Sequence, residues 1–347
     1  LMPAHAIETS VRRRRCVRRY FTRRALAIGI TACVLIGGGA IAFGCSSSSG
    51  SITAQTSSTT TANATASTDT GTSVLDASTV SALDLSGIDW TYSDRDSDAS
   101  YDASSATTIT LGSTASASGS GATVDGSTVT ITEEGTYIVS GTASDGQIVV
   151  AAADDAKVQI VLDGATLTCA DGPALLVQSA DKVFVTLASG STNTLADGTT
   201  HTTVTDADGT ENDLDGAIYS RRDLTFNGTG SLTVNGNYQH GIVGKDDVKF
   251  TGGTYAITST GDGIQGKDSV MIADGTFTIN AGGDGIQSSN EEDTAKGFVY
   301  INGGTLDITA EDDGIQGYNI VRIVGGTVDV ETGGGAGEAY SESGDFR

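Results

Sequence analysis

The stretch "TGDGIQGKDSVMIADGTFTINAGGDGIQSS", residues 260–289, says nearly the same thing twice: Asp262-Gly263-Ile264-Gln265 returns 22 positions later as Asp284-Gly285-Ile286-Gln287. Aligned on the Gly-Ile pairs, four copies follow one another. They are "HGIVGKDDVKFTGGTYAITSTG" (240–261), "DGIQGKDSVMIADGTFTINAGG" (262–283), "DGIQSSNEEDTAKGFVYINGGTLDITAED" (284–312, with 7 inserted residues) and "DGIQGYNIVRIVGGTVDVETGGG" (313–335). A looser copy starts near Asp215. Self-similarity at a fixed period of this size marks a stacked, quasi-one-dimensional architecture.

Within each copy apolar residues alternate in pairs: Val248/Phe250 then Tyr255/Ile257, Val270/Ile272 then Phe277/Ile279, Val299/Ile301 then Leu306/Ile308, Val321/Ile323 then Val328/Val330. A period of two means strand. Gly-rich corners separate the pairs, and a third strand carries Ile264, Ile286 and Ile315. Three short strands per unit predict an all-β fold, a parallel β-helix of about 8 coils with roughly 22 residues each, stacked at the ~4.8 Å spacing of neighbouring strands. Degraded copies upstream place the first coil near residue 107.

The rest of the chain is an address and a spacer. Residues 1–45 hold 8 Arg, then the uncharged run "ALAIGITACVLIGGGAIAFG" (25–44), then Cys45. A basic segment followed by an apolar one of this length reads as an export signal, with a membrane anchor as the alternative. "AFGC" before "SSSSGS" resembles a lipoprotein cleavage box, which makes Cys45 the lipidated mature N-terminus and places the protein outside the cell, anchored to the outer face of the bacterial membrane. The arginine pairs suit either general or twin-arginine export. Residues 46–87 are a Ser/Thr-rich linker and 88–347 the folded domain. The chain begins with Leu1 and stops shortly after the Asp313 copy, which reads as a fragment lacking further coils.

The formal net charge is −24, and without the Arg-rich signal the remainder stands at −31. Such a surface argues against nucleic acid as a partner. It favours a cation-loaded or self-repelling soluble protein, read as a monomer. Cys169 is the one cysteine of the folded region, so no disulfide framework forms within it.

Asp262, Asp284 and Asp313, stacked one strand apart, form a row of like charges costing about 1 kcal/mol per pair or more unless neutralised. Calcium, with its 6–8 oxygen ligands, is the natural neutraliser. Asp312, Asp215, Asp246 and Asp268 are further candidate ligands, with Glu291, Glu292 and Asp293 from the insertion. The competing reading is that Asp-Gly is simply good turn chemistry. "DRDSD" (94–98) resembles the start of a calcium loop but lacks the Gly and the distal Glu. Lys245, Lys267, Arg221 and Tyr318 form a second row suited to an acidic polysaccharide, or a solvated ladder. Gln265, Gln287 and Gln316 form a third, able to bond sugar hydroxyls unless they bond one another.

"WTYSDRDSDASYDASSATTITL" (90–111), "DGSTVTITEEGTYIVSGT" (125–142), "DDAKVQIVLDGATL" (154–167), "SADKVFVTLASGSTNTL" (179–195) and the Asp-Gly-Ile-Gln copies together resemble a carbohydrate-binding domain family known from a clostridial cellulose degrader. The resemblance covers residues 88–335. It implies a pectate-lyase-like, right-handed β-helix, calcium at the Asp turns, attachment to cellulose or acidic glycans, and no established catalysis. Two other functions compete: a calcium-dependent polysaccharide lyase with Lys245, Lys267 or Arg221 as general base, and a structural adhesin or stalk.

Overall fold

The computed structural model describes residues 85–205 and 211–333, together with the short strands Leu35–Ile36, Gly39–Ala40 and Ile52–Thr53. Cys45 and the greater part of the signal and linker lie outside the described residues. Among the described residues no helix is long and apolar enough to cross a membrane.

The alternating segments are strands, and nearly all of them pair in parallel with the equivalent segment of a neighbouring copy. Ile242, Ile264, Ile286 and Ile315 stand in one register row, with Val243, Gln265, Gln287 and Gln316 in the next. The first row faces inward and joins a single core running through the molecule, in which Ile264 and Ile286 are fully buried. Aromatic residues stack along it: Phe226 on Phe250 and Tyr255 on Phe277, each with ring centroids 4.8 Å apart.

The architecture is nevertheless not the uniform right-handed β-helix expected from the repeat. The strands form two large sheets, one of fifteen strands and one of nine. Within the larger sheet six parallel strands close into a ring. Lys157–Cys169 pairs with Lys182–Leu187, then come Asp223–Gly228, Asp247–Ser259, Ser231–Gly236 and Thr192–Asp197, which pairs with Lys157–Cys169 again. The expectation treated every Gly corner as a strand end. Instead Gly164 (φ 79°) and Gly253 (φ 98°) carry 13-residue strands through the bend with only a register shift, so the pairing continues around it. Nor is the repeat length constant. Paired positions lie 22 residues apart at Ile264/Ile286, 29 at Ile286/Ile315 and 43 at Leu175/Ile218. The N-terminal end is closed by antiparallel pairs, Thr107–Leu111 with Ser116–Ser118 and Ala122–Asp125 with Thr128–Ile131.

The segment preceding Thr107 lies across the outside of the larger sheet. Trp90 packs on Phe298 and Tyr300, and the Arg322 guanidinium lies 4.8 Å over its ring. The "DRDSD" stretch is a one-turn helix, Asp94–Ser97. Its Asp96 is fully buried, pairs with Lys182 at 2.7 Å and accepts hydrogen bonds from Thr225 and from the Ser93 backbone. Burial works against its ionisation, but the Lys182 ammonium, the Ser93 amide and the Thr225 hydroxyl together hold the carboxyl below its usual range. That carboxylate is a strap fastener. Cys169 is buried, with its thiol pushed up to about 11 chiefly by burial.

Candidate functional site

Each letter of Asp-Gly-Ile-Gln has a structural task. The Asp262 carboxylate accepts the Asp284 backbone N–H at 2.9 Å, and Asp284 accepts that of Asp313 at 2.9 Å. His240, which stands where the other copies have Asp, accepts the Asp262 N–H through Nδ1 at 2.8 Å. The Gly allows close approach: a Cβ on Gly285 would lie 2.4 Å from the Ile308 side chain and 2.5 Å from the Gly314 carbonyl. The Ile fills the core. The Gln donates to the Asp of its own copy (Gln287 to Asp284, 2.6 Å) and to the Gln of the next (Gln265 to Gln287, 2.8 Å; Gln287 to Gln316, 3.1 Å).

The Asp row is therefore hydrogen-bonded internally, and its repulsion is partly absorbed by amide dipoles. Asp262 and Asp284 are buried, whereas Asp312 and Asp313 are exposed. Burial pushes the Asp284 carboxyl up, with Asp262 and Asp313 adding to the shift against the two hydrogen bonds it accepts. Asp215 sits beside Lys245 (3.8 Å) and His240 (4.0 Å).

Of the basic row, Lys245 also lies over the Tyr219 ring at 5.1 Å, Lys267 is exposed, and Tyr318 is 56% exposed; the Arg221 backbone N–H bonds the Val177 carbonyl.

One position further along the same edge the carboxylates converge. A cleft of about 370 Å³ is lined by Asp154, Asp181, Asp223, Asp246, Asp247 and Asp268, with Arg222 and Lys296 as its cations. Six acids against two bases leave an excess of negative charge. Arg222 is committed to Asp154 at 2.9 Å and Lys296 to Asp268 at 2.6 Å. Asp181 pairs with Lys157, and Asp247 with Lys249 and the Ser269 hydroxyl.

Asp246 is the exception. Its neighbours Asp268, Asp223 and Asp247 are all acids. Burial first and this crowding second push Asp246 up to about 7. Asp268 moves the other way: burial opposes, but Lys296, the neighbouring Asp246 carboxyl and Asn290 hold it low. Asp223 is raised by burial and by Asp247.

The sequence reading had Asp246 and Asp268 but missed Asp223, Asp247 and Lys296. Glu291, Glu292 and Asp293, named from the insertion, are exposed, and what that insertion delivers to the cleft is a lysine. A signal was present: in "RRD", "KDD" and "KDS" an acid follows the basic residues in three consecutive copies (221–223, 245–247, 267–269). Among the described residues no three His, Cys, Asp or Glu side chains converge, as placed, into a metal-binding group. The acids that could share a cation are Asp246 and Asp268, with Asp223 and Asp247 flanking.

A family model described as "carbohydrate-binding domain-containing protein" matches residues 125–346. A protein of that description from Acetivibrio thermocellus is 38% identical over 135 residues, 37% of this chain. This chain covers 44% of that relative's length. Among solved structures, the gadolinium derivative of a polysaccharide lyase-like protein from C. thermocellum superposes with a TM-score of 0.63 at 37% identity, covering 66% of this chain and 92% of its own.

Proposed function

The chain belongs to the family of carbohydrate-binding domain-containing proteins, and from that premise we propose that it is a calcium-dependent, non-catalytic glycan-binding protein whose acidic cleft receives a uronate-bearing polysaccharide through a bridging cation. The observation carrying this reading is the crowding of Asp246 and Asp268 in a cleft lined by six aspartates, Asp246 with acids for its neighbours. A like-charged pair of this kind is relieved by a cation.

The donor set suits calcium. It consists of carboxylate oxygens, and calcium tolerates loose geometry with several oxygen ligands. The Lys296 ammonium already stands at Asp268 as a built-in cation. Asp246 and Asp268 would hold the ion, with Asp223 and Asp247 adding field from the flanks. Asp246 and Asp268 alone would leave coordination positions for water and sugar oxygens, so a bound cation would link protein and glycan. Bound there, calcium supplies positive charge facing outward from a surface that would otherwise repel a polyanion.

Lipidation at Cys45 and the spacer up to residue 87 belong to the same proposal: they tether the domain to the outer face of the membrane and hold it clear of it.

The lyase reading draws on the description of the solved relative as polysaccharide lyase-like. It requires a base beside the metal, and none of Lys245, Lys267 and Arg221 lines the acidic cleft. Retention on immobilised polygalacturonate tests the two together. The binder is retained with millimolar calcium, released by chelator, and generates no ultraviolet-absorbing unsaturated product. Accumulation of that product reverses the reading, and retention that ignores chelator removes calcium from it.

A further inference from the structure

Between the strands Thr192–Asp197 and Gly216–Ser220 the chain leaves the two large sheets and carries a two-stranded sheet of its own, Val204–Thr205 with Glu211–Asn212. It returns through Leu214, which roofs apolar residues that face away from the main core. Leu176, Tyr219 and Val243 stand in one register row on the outer face of the nine-stranded sheet, and with Leu214 they form a separate buried cluster. An apolar row on an outer face needs such a cover. Leu214 and Thr202 also wall a second cleft, of about 440 Å³, with Asp145, Gln147, Cys169 and Leu176.

One histidine fastens this cover. His201 Nδ1 bonds the Leu214 carbonyl, and Nε2 lies 3.1 Å from Asp197 Oδ2. Both side chains are fully buried, and neither Nε2 nor Oδ2 has a hydrogen-bond partner among the described residues. Both ring nitrogens therefore face oxygen acceptors. A neutral imidazole offers one N–H and one lone pair, so only the imidazolium suits the two together. The elements packed around the ring favour that form. Asp197 ends the preceding strand, Asp213 comes from the returning arm and accepts the hydroxyl of Tyr238, and the Tyr238 ring stacks on the imidazole. Asn237 is spent on Asp197, and Asp215 stands beside Lys245 and His240. Burial opposes the charged ring, and these acceptors outweigh it.

We propose that His201 is a pH-operated latch: protonated, it clamps Leu214 over the outer apolar row, and neutral, it releases Leu214 and opens the second cleft. The neutral ring keeps one proton, and the buried Asp197 carboxylate, a charged acceptor, outbids a carbonyl for it. The Leu214 carbonyl then faces a ring lone pair, so a hydrogen bond is replaced by a repulsion. Leu214 is left with its apolar contacts alone. The cleft is thus closed in acid and opens as the pH rises, exposing Leu176, Tyr219 and Val243 along the sheet and Cys169 in the wall.

The test starts with the unaltered full-length chain. Hydrogen exchange, corrected for the intrinsic pH dependence of each amide, is followed by mass spectrometry from about pH 5.5 to about pH 8, either side of the ordinary imidazole range. The Thr202 amide, bonded to the Asp171 carbonyl at 2.8 Å, should exchange about 5-fold faster or more at the upper end, the size of an ordinary linkage. Labelling of Cys169 by a neutral maleimide gives a second readout. It is expressed as the wild-type rate over that of His201→Gln, so that the thiol's own titration cancels, and the ratio should rise with pH by a similar factor. In His201→Gln the corrected exchange of Thr202 should not depend on pH, and in Leu214→Ala it should be fast throughout. Corrected exchange in the wild type that stays level across the range overturns the latch. So does a pH dependence that survives in His201→Gln, or acid protection that survives in Leu214→Ala.

Discussion

Asp284 offers a direct test of what the aspartate row does, through the contrast between Asp284→Ala and Asp284→Asn. Its two oxygens accept separately: Oδ1 takes the Asp313 backbone N–H at 2.9 Å and Oδ2 takes Gln287 Nε2 at 2.6 Å. Alanine removes both acceptors. A hydrogen bond to a charged group is worth about 1.5–3 kcal/mol and a buried donor left unpaired costs about 1–3 kcal/mol. Gln287 is half-exposed and can turn to water, so the loss concentrates on the Asp313 amide, and about 2–3 kcal/mol is expected. Asparagine keeps the acceptor for that amide and loses only the Gln287 bond, whose donor retains Gln316 and water. It also removes a charge crowded by Asp262 and Asp313, so Asp284→Asn should fall within about 1 kcal/mol of wild type. Equilibrium urea unfolding resolves the difference, and for a domain of this size 2 kcal/mol corresponds to roughly 4–8 °C in Tm. If Asp284→Ala matches Asp284→Asn in stability, the amide ladder carries no weight. If Asp284→Asn loses calcium-dependent glycan retention, the metal belongs to this row after all.

Ile286→Ala, at a fully buried position, should cost about 2–5 kcal/mol with an unchanged m-value in the same urea assay; a loss under 1 kcal/mol contradicts the continuous core. Asp246→Asn should stabilise the calcium-free protein, because it ends the carboxyl–carboxyl contact, and should abolish the rise in Tm on adding calcium; a preserved rise places the ion elsewhere. His201 faces Asp197 at 3.1 Å, hydrogen-bonds the Leu214 carbonyl and stacks on Tyr238, whose hydroxyl donates to Asp213. Burial lowers its pKa, but Asp197, the Leu214 carbonyl and Asp213 together raise it above the usual value. The folded state therefore holds the proton longer, so this stabilisation is complete below about pH 6.5 and is lost as pH rises through the folded-state pKa. His201→Phe should flatten the stability profile above pH 6.5, and an unaltered slope excludes the pair as its source. Trp90 is the chain's one tryptophan; Trp90→Ala should sensitise residues 85–103 to proteolysis without unfolding the sheets, and unchanged resistance argues against the strap.

The strands were legible because a period of two and a repeat of 22 survive in the residues themselves. The closed ring was not. Whether Gly164 or Gly253 ends a strand or bends it depends on pairings with Thr192–Asp197 and Ser231–Gly236, and those partners lie one or more copies away. At the site, Asp246 and Asp268 stood out as repeated acids, whereas Asp154 and Asp181 arrive from copies too degraded to align. Lys296 was hidden for a different reason. The insertion reads as acidic in composition, but Asn290 and Gly297 turn its three acids outward and its lysine inward.

The same residue type thus does two jobs along one nine-stranded sheet, and the difference lies in what the backbone offers each carboxylate. At the start of the motif an amide of the next copy points at the carboxylates of Asp262 and Asp284, so both are solvated by the protein itself. Six residues further on, the Asp268 N–H is spent on the Asp246 carbonyl and the Asn290 N–H on the Lys267 carbonyl. No backbone donor is left for the carboxylates of that row. Asp268 finds the Asn290 amide and the Lys296 ammonium in place of a backbone donor, and Asp246 stands among acids. A repeat whose backbone donors satisfy one acidic row and neglect another builds a scaffold from the first and a cation-seeking site from the second. Replacing Asp262 or Asp284 should therefore be felt in stability, and replacing Asp246 or Asp268 in ligand binding.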